Sequence, residues 1–189
     1  MAYLSFTGSD RPGSINRRAV SLVLHAMRDQ GLEIVECELE ALNLPLYSQV
    51  TEHSQGYPAP LKAFRAQLTA AEGLVIGCPE YNGLITPLLL NALTWLTRSE
   101  SADPDLSGFR LKPILICSSS PGGLGGIRAA AELANYLRGI GALIYPEFFI
   151  VPQGFSVFSE STLAEDHPMT LRAQQLATSF SHFSRGRQS

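Results

Sequence analysis

The segment AYLSFTGSDRPGSIN, residues 2–16, joins an apolar stretch, a loop of small and polar residues and the start of a helical pattern. Residues 2–7 are mostly apolar and are followed by Gly8, which predicts a first β-strand. Residues 15–30 carry apolar side chains at helical spacing, and Gly31 follows them as a helix-terminating glycine would. The segment therefore predicts a strand, a loop and a helix in direct succession.

The same alternation of strand and helix patterns continues along the chain. Further strands are predicted at residues 32–39, 73–78, 113–117 and 142–145. Further helices are predicted at residues 61–71, 84–98, 126–139 and 168–183, and a long loop at residues 43–60. Five strands alternating with helices imply a parallel sheet covered on both faces. Ligands of such sheets bind beyond the carboxyl ends of the strands, so the loops that follow the strands are the candidate site.

Composition limits the class of protein. The 189 residues suffice for one compact domain, predicted at residues 1–184 with a disordered tail at residues 185–189. The net charge of -3 argues against nucleic acid or an anionic membrane as the partner. No apolar run approaches the roughly 20 residues of a membrane span, and the N-terminus lacks a signal-peptide pattern. Three widely spaced cysteines indicate no zinc site or dithiol and fit a reducing cytoplasm.

The first loop carries the side chains that a phosphate requires. Ser9 and Ser14 can donate O–H groups, Asn16 can donate N–H groups, and Arg11 can pair with two oxygens. The helix that follows would add the backbone amides of its N-terminus. A plainer interpretation stays open, in which Ser14 only caps the helix and Arg11 is solvated.

Two nucleotide-binding motifs can be tested against this loop. Gly8 and Gly13 have P-loop spacing, but Ser14 and Ile15 stand where that motif needs Lys and Ser or Thr. A dinucleotide-binding G-x-G-x-x-G is also absent. The loop therefore favours a single terminal phosphate without a metal ion.

Two further loops have weaker signals. Residues 79–83, PEYNG, could offer backbone groups to a flat heterocycle, and Tyr81 could cover a ring face; an ordinary turn at Asn82 and Gly83 is the alternative. Residues 118–126 are small enough for backbone to approach a ligand, or for the start of a helix to pack on the sheet. Arg128 suits a phosphate ligand, solvent or a subunit contact. The four histidines form no metal spacing, and no catalytic acid, base or nucleophile is predicted.

Three motifs together resemble a known family. The first comprises Gly8, Ser9, Arg11, Ser14 and Asn16; the second is PEYNGLITPLLLNALTW, residues 79–95; the third is SPGGLGGIR, residues 120–128. On these motifs, the chain resembles the NAD(P)H-dependent FMN reductases, a group that includes bacterial quinone, chromate and azo-dye reductases. The resemblance implies a flavodoxin-like three-layer α/β/α fold, with a five-stranded parallel sheet in the order 2-1-3-4-5.

The resemblance also implies the cofactors and the site. FMN would be the cofactor, NADPH or NADH the electron donor, and a quinone, free flavin or similar small molecule the acceptor. The phosphate would be held by Ser9, Arg11, Ser14, Ile15 and Asn16. The flavin ring would be bordered on one side by Pro79, Glu80, Tyr81, Asn82 and Gly83, and on the other by Ser119, Ser120 and Gly122.

The resemblance further implies a homodimer or homotetramer, but the second motif departs from the family. Leu90 stands in place of a family lysine and Thr94 in place of an aspartate, so a family ion pair at a subunit contact is expected to be absent. Ser118 replaces a common glycine, and the proline after PEYN is shifted to Pro87. Two other functions stay open: an electron carrier of the flavodoxin type, and a flavin-free binding module with the same fold.

Overall fold

The fold is built around a parallel sheet whose interior strands are buried on both faces. The computed structural model describes residues 2–186. The parallel sheet contains β1 Tyr3–Thr7, β2 Ile34–Cys37, β3 Leu74–Gly77, β6 Pro113–Ser119, β7 Leu143–Ile144 and β8 Phe149–Val151. A separate hairpin is formed by β4 Glu80–Tyr81 and β5 Leu84–Ile85. The α-helices are α1 Ile15–Asp29, α2 Gln49–Gln55, α3 Ala59–Ala70, α4 Pro87–Leu96, α5 Ile127–Gly139, α6 Gly154–Val157 and α7 Pro168–Arg185.

The strand order confirms the predicted topology, with one difference at the edge. The sheet runs β2-β1-β3-β6-β7, which is the order 2-1-3-4-5 of the predicted strands. The predicted fifth strand is divided, because β7 pairs with the start of β6 and β8 pairs with its end. Pro146 lies between them and has no N–H for the ladder. The sheet therefore has six strands rather than five.

Local turn chemistry explains two further differences. The helix predicted from residue 84 begins only at Pro87, because Asn82 and Gly83 form the turn of the β4–β5 hairpin with φ of 55° and 86°. Asn-Gly is the usual dipeptide of such two-residue hairpin turns. The predicted loop at residues 43–60 contains α2, which Ser48 caps by accepting a hydrogen bond from the Thr51 N–H at 3.0 Å.

Helices cover both faces of the sheet, which confirms the three-layer arrangement. On one face Phe6 of β1 meets Phe64 of α3 edge to face, with ring centroids 5.4 Å apart. On the opposite face Tyr3 packs on Phe180 of α7. None of the helices between residues 2 and 186 has the length and apolar character that a membrane crossing requires. Helix α7 extends through Arg185, and residues 187–189 of the predicted tail lie outside the described residues.

A buried ion pair fixes the α2 segment against α4. The carboxylate of Glu52, 3% exposed, accepts hydrogen bonds from Arg98 Nε at 2.8 Å and Nη2 at 3.1 Å, and from the Tyr47 hydroxyl at 3.1 Å. The bonds from Arg98 hold the pKa of Glu52 below its ordinary value. Trp95 Nε1 donates to the carbonyl of Pro45 at 2.8 Å. Since a buried charge is costly without its partner, this segment depends on both members of the pair.

We expect Glu52→Ala to lower the free energy of unfolding by about 3–5 kcal/mol, because Arg98 would be left without its carboxylate partner. Glu132→Ala, at an exposed position of α5, is the control and should change stability by less than about 0.5 kcal/mol. The pKa of Glu52 is lowered by folding, so its contribution should persist at neutral pH and fade as the pH drops below 4.5. Urea denaturation of wild type and variants at several pH values measures both effects; equal losses for the two variants would contradict this assignment.

Candidate functional site

The first loop leaves the sheet where α4 approaches β1 closely. The Gly8 N–H donates to the carbonyl of Gly77 at 3.0 Å, and the Gly8 carbonyl accepts from the Thr86 hydroxyl at 2.7 Å. A Cβ at position 8 would lie 2.5 Å from the Cβ of Leu89. Only glycine therefore allows this approach, and the loop that follows is directed along the carboxyl edge of the sheet.

Two buried serines of this loop retain free hydroxyl protons. Ser14 caps α1 by accepting from the Arg17 N–H at 3.3 Å, and Ser9 Oγ accepts from the Arg11 N–H at 3.4 Å. Neither hydroxyl donates to an acceptor within residues 2–186. The backbone N–H groups of Ile15 and Asn16 open the first turn of α1, where no intrahelical acceptor exists. Capping and anion binding by Ser14 are thus compatible, and the donor set fits a phosphate.

Arg11 offers the loop an available positive charge. Its side chain is exposed and has no carboxylate partner in the described part of the chain. Its guanidinium lies 5.8 Å from the ring centroid of Phe155, a distance at which a cation and an aromatic face attract one another. The charge is therefore held beside the loop without being neutralised.

Asn16 and Ser119, both predicted to contact the ligand, are bonded to each other. Asn16 Nδ2 donates to the Ser119 carbonyl at 2.8 Å, and the Ser119 N–H donates to Asn16 Oδ1 at 2.8 Å. The Ser119 hydroxyl donates to the carbonyl of Val151 at 2.9 Å. These bonds join α1 to the ends of β6 and β8. Asn16 keeps one amide proton for a ligand, so its predicted phosphate contact remains a prediction.

The glycine-rich third loop has an open half and a packed half. A Cβ at Gly122 would have no atom within 4 Å, whereas one at Gly126 would lie 2.0 Å from Ser118 Oγ. The Gly122 carbonyl accepts from the Gln153 N–H at 3.0 Å, and the Ser120 carbonyl accepts from the Gly154 N–H at 2.9 Å. The open half, residues 120–123, is therefore the part that a ligand can reach.

The β4–β5 hairpin forms the opposite border. Pro79 is buried, while Tyr81 and Asn82 are exposed at the turn. The Glu80 carboxylate accepts from Arg128 Nε at 3.1 Å and from the Ala129 N–H at 3.2 Å, which supplies the cap that Gly126 cannot give to α5.

The electrostatics of Glu80 follow from these contacts. Burial opposes its ionisation, but the hydrogen bonds from Arg128 and Ala129 outweigh burial and keep its pKa below the ordinary value. Arg128 also passes beside Gly83, where a Cβ would lie 3.7 Å from its guanidinium. The Glu80 side chain thus ties the hairpin to α5, and the charge of Arg128 is paired within the chain.

Two positioning elements were not predicted from the sequence. Thr86 holds the first loop through Gly8, and the signal available was its place before Pro87, a common start of a helix. The segment from Gln153 to Phe155 follows β8 and contacts both Gly122 and Arg11. It also lies after the carboxyl end of a strand, so the rule that selected the other loops would have found it.

The donors assembled at this edge suit a phosphate group. The first loop supplies hydroxyls, amides and a guanidinium for the phosphate. The hairpin and the third loop present exposed residues at the same edge of the sheet, Tyr81 and Asn82 in the hairpin and residues 121–124 in the loop.

Comparisons with known proteins find one family and several relatives. A family model described as NADPH-dependent FMN reductase matches residues 1–156. A quinone reductase of Escherichia coli K12 is 34% identical over 173 residues, which are 87% of each chain. An NAD(P)H-dependent FMN reductase of Pseudomonas aeruginosa is 30% identical over 175 residues, covering 92% of this chain and 90% of the relative.

Solved structures share the fold. The flavoenzyme NAD(P)H:(acceptor) oxidoreductase FerB of Paracoccus denitrificans superposes with a TM-score of 0.78, covering 98% of this chain and 97% of FerB. The sequence identity is 21%, so this likeness extends to the architecture alone.

We expect Asn16→Ala to reduce the free energy of unfolding by about 2–4 kcal/mol, because the buried N–H and C=O of Ser119 would both lose their partner. Asn135→Ala, on the exposed face of α5, is the matched control and should be close to neutral. Chemical denaturation measures the difference. A near-neutral Asn16→Ala would show that the bonds to Ser119 are not needed to hold α1 on β6.

Proposed function

The chain belongs to the NADPH-dependent FMN reductase family, and from this we propose that it reduces quinones with electrons from a reduced nicotinamide, through FMN bound at the carboxyl edge of the sheet. It is an FMN-dependent NAD(P)H oxidoreductase with a flavodoxin-like fold. We propose in addition which residues hold FMN and which class of acceptor is reduced. We also propose that residues 1–184 form a single FMN-binding domain.

The observation that carries the proposal is the pair of buried serine hydroxyls in the loop between β1 and α1. Ser9 and Ser14 are 7% and 1% exposed, yet neither hydroxyl proton has an acceptor in the described residues. Buried hydroxyl groups are normally hydrogen-bonded, and a phosphate would accept both protons. Arg11 and the amides of Ile15 and Asn16 complete the donor set that we assign to the FMN phosphate.

The remaining contacts that we assign lie on either side of the flavin ring. Backbone groups of Pro79–Gly83 border one side. The backbone of Ser120 and Gly122 and the Ser120 hydroxyl border the other, and Ser119 lies behind them, bonded to Asn16 and Val151. Bound FMN supplies the redox chemistry, since it accepts two electrons as a hydride and releases them to an acceptor. The chain's residues bind and orient; Tyr81, 56% exposed, would cover ring surface and keep water away.

The choice of a quinone as the acceptor rests on the Escherichia coli relative, which is named a quinone reductase. A flat quinone could occupy the same space as the nicotinamide ring, so donor and acceptor would bind in turn. No acid or base of the protein is needed in this cycle.

We also propose that the protein forms homodimers in the cytoplasm. Leu84, Leu90 and Leu46 are 61%, 41% and 79% exposed, and residues 84–97 carry no charged side chain. Exposed apolar surface of this kind commonly marks a subunit contact. A tetramer is a less supported alternative, because Leu90 and Thr94 replace the charged residues of the family.

The free cysteines Cys37, Cys78 and Cys117 suit a reducing compartment.

We expect Arg11→Ala and Ser14→Ala each to weaken FMN binding by about 1–3 kcal/mol, the contribution of a hydrogen bond to a charged group. Fluorescence titration of the purified apoprotein with FMN measures the dissociation constants. Arg138→Ala removes an exposed charge from the last turn of α5 and should leave FMN affinity unchanged. Wild-type affinity in both loop variants would exclude this loop as the phosphate site.

We expect NADPH or NADH to bleach the visible flavin band of the FMN-loaded protein without oxygen, and a benzoquinone to restore it. Stopped-flow absorbance gives both rates, and the faster donor identifies the physiological nicotinamide. Binding of FMN without bleaching by either nicotinamide would instead indicate an electron carrier, and failure to bind FMN would indicate a flavin-free module.

A further inference from the structure

We propose that Arg17 is a positioning residue that holds the phosphate loop in its binding shape by tying Ser9 to the segment after β2. The inference rests on the proposed function, since it assumes that residues 8–14 hold the FMN phosphate. Arg17 is not among the motif residues, and its action would be on the loop's backbone and not on the ligand.

The contacts of Arg17 form a bridge between two segments. Its Nε and Nη2 donate to the Ser9 carbonyl at 3.3 Å and 3.0 Å. On its other side, Nη1 donates to the two carboxylate oxygens of Glu38 at 3.1 Å and 3.0 Å, and Nη2 also contacts Glu40. One planar guanidinium therefore joins the loop after β1 to the segment after β2.

The loop has few other attachments. Residues 10–13 are exposed, and a Cβ at Gly13 would have no atom within 4 Å. Among residues 2–186, the hydrogen bonds from outside the loop to the backbone of residues 9–13 are the two from Arg17 to Ser9. A loop that is ordered before binding loses less conformational entropy when the ligand arrives. Arg17 is therefore placed to order the loop, and an ordered loop binds phosphate more tightly.

The charges around Arg17 indicate that it positions the loop and does not itself bind the phosphate. A cation in the first turn of a helix is disfavoured by the helix dipole, and the carboxylates of Glu38 and Glu40 compensate for it. With two carboxylates on its guanidinium, Arg17 has little charge to offer a phosphate. Arg11, by contrast, has no carboxylate partner in the described residues and is the loop's available cation.

The same helix provides a matched control. Arg28, in the last turn of α1, pairs with Glu36 of β2 at 2.5 Å. Arg28 and Arg17 thus both join α1 to the β2 side of the molecule, one at each end of the helix. Arg28→Gln removes the same charge as Arg17→Gln from the same helix without touching the loop.

The experiment compares the affinities of FMN and riboflavin, which differ by the phosphate, for wild type, Arg17→Gln, Arg17→Gln/Glu38→Gln and Arg28→Gln. We expect Arg17→Gln to reduce the preference for FMN over riboflavin by about tenfold, with riboflavin affinity nearly unchanged. The double variant restores the net charge but not the bonds to Ser9, so its preference should stay low. Arg28→Gln should match wild type.

A second measurement follows the loop without any flavin. Amide hydrogen exchange of residues 9–14 in the apoprotein should be faster in Arg17→Gln than in wild type or Arg28→Gln. Arg17→Lys, which keeps the charge but replaces the planar fork by a single donor nitrogen, should be intermediate in both exchange and FMN preference. This conservative variant serves as the test if Arg17→Gln does not fold.

Recovery of wild-type preference in the double variant would overturn the proposal, since Arg17 would then act through its charge. Unchanged exchange in residues 9–14 would overturn it as well. If the wild-type protein did not prefer FMN to riboflavin, the proposed phosphate site itself would be wrong. In that case faster loop exchange in Arg17→Gln would still show that Arg17 orders the loop.

Discussion

The pair of hydrogen bonds between the side-chain amide of Asn16 and the backbone of Ser119 fixes the position of α1 relative to β6, and the site depends on that position. Asn16 lies in the first turn of α1, and Ser119 ends β6, an interior strand of the sheet. The two residues are 103 positions apart, yet each satisfies the other's donor and acceptor inside the protein at 2.8 Å. Because buried amides cannot be left unpaired without a large penalty, the N-terminus of α1 is held at this edge.

Other loops are joined across the same edge in a comparable way. Thr86 connects α4 to the loop after β1, Glu80 connects the hairpin to α5, and Ser119 connects β6 to β8. Each bond runs from a side chain to a backbone group of a different segment. The backbone positions that would face a ligand are therefore set by the protein before any ligand binds, as a binding site with little reorganisation requires.

The sequence predicted the elements whose signals are local. Apolar runs identified β1, β3 and β6, and the loop of small residues before Ile15 identified the start of α1. The alternation of strands and helices predicted a parallel sheet, and the family resemblance implied its order. The sequence did not reveal the partner of Asn16 or the capping role of Glu80, because both roles depend on residues far along the chain. The Asn82-Gly83 turn and the break at Pro146 carried local signals that longer apolar patterns outweighed.

The division of the last strand has a consequence for self-association. β7 and β8 lie at one margin of the sheet, where a continuous strand would present a row of unpaired backbone donors and acceptors to other chains. Here that row is cut into pieces of two and three residues by a segment that contains Pro146. Such a margin is a poor template for intermolecular β-pairing or fibril growth.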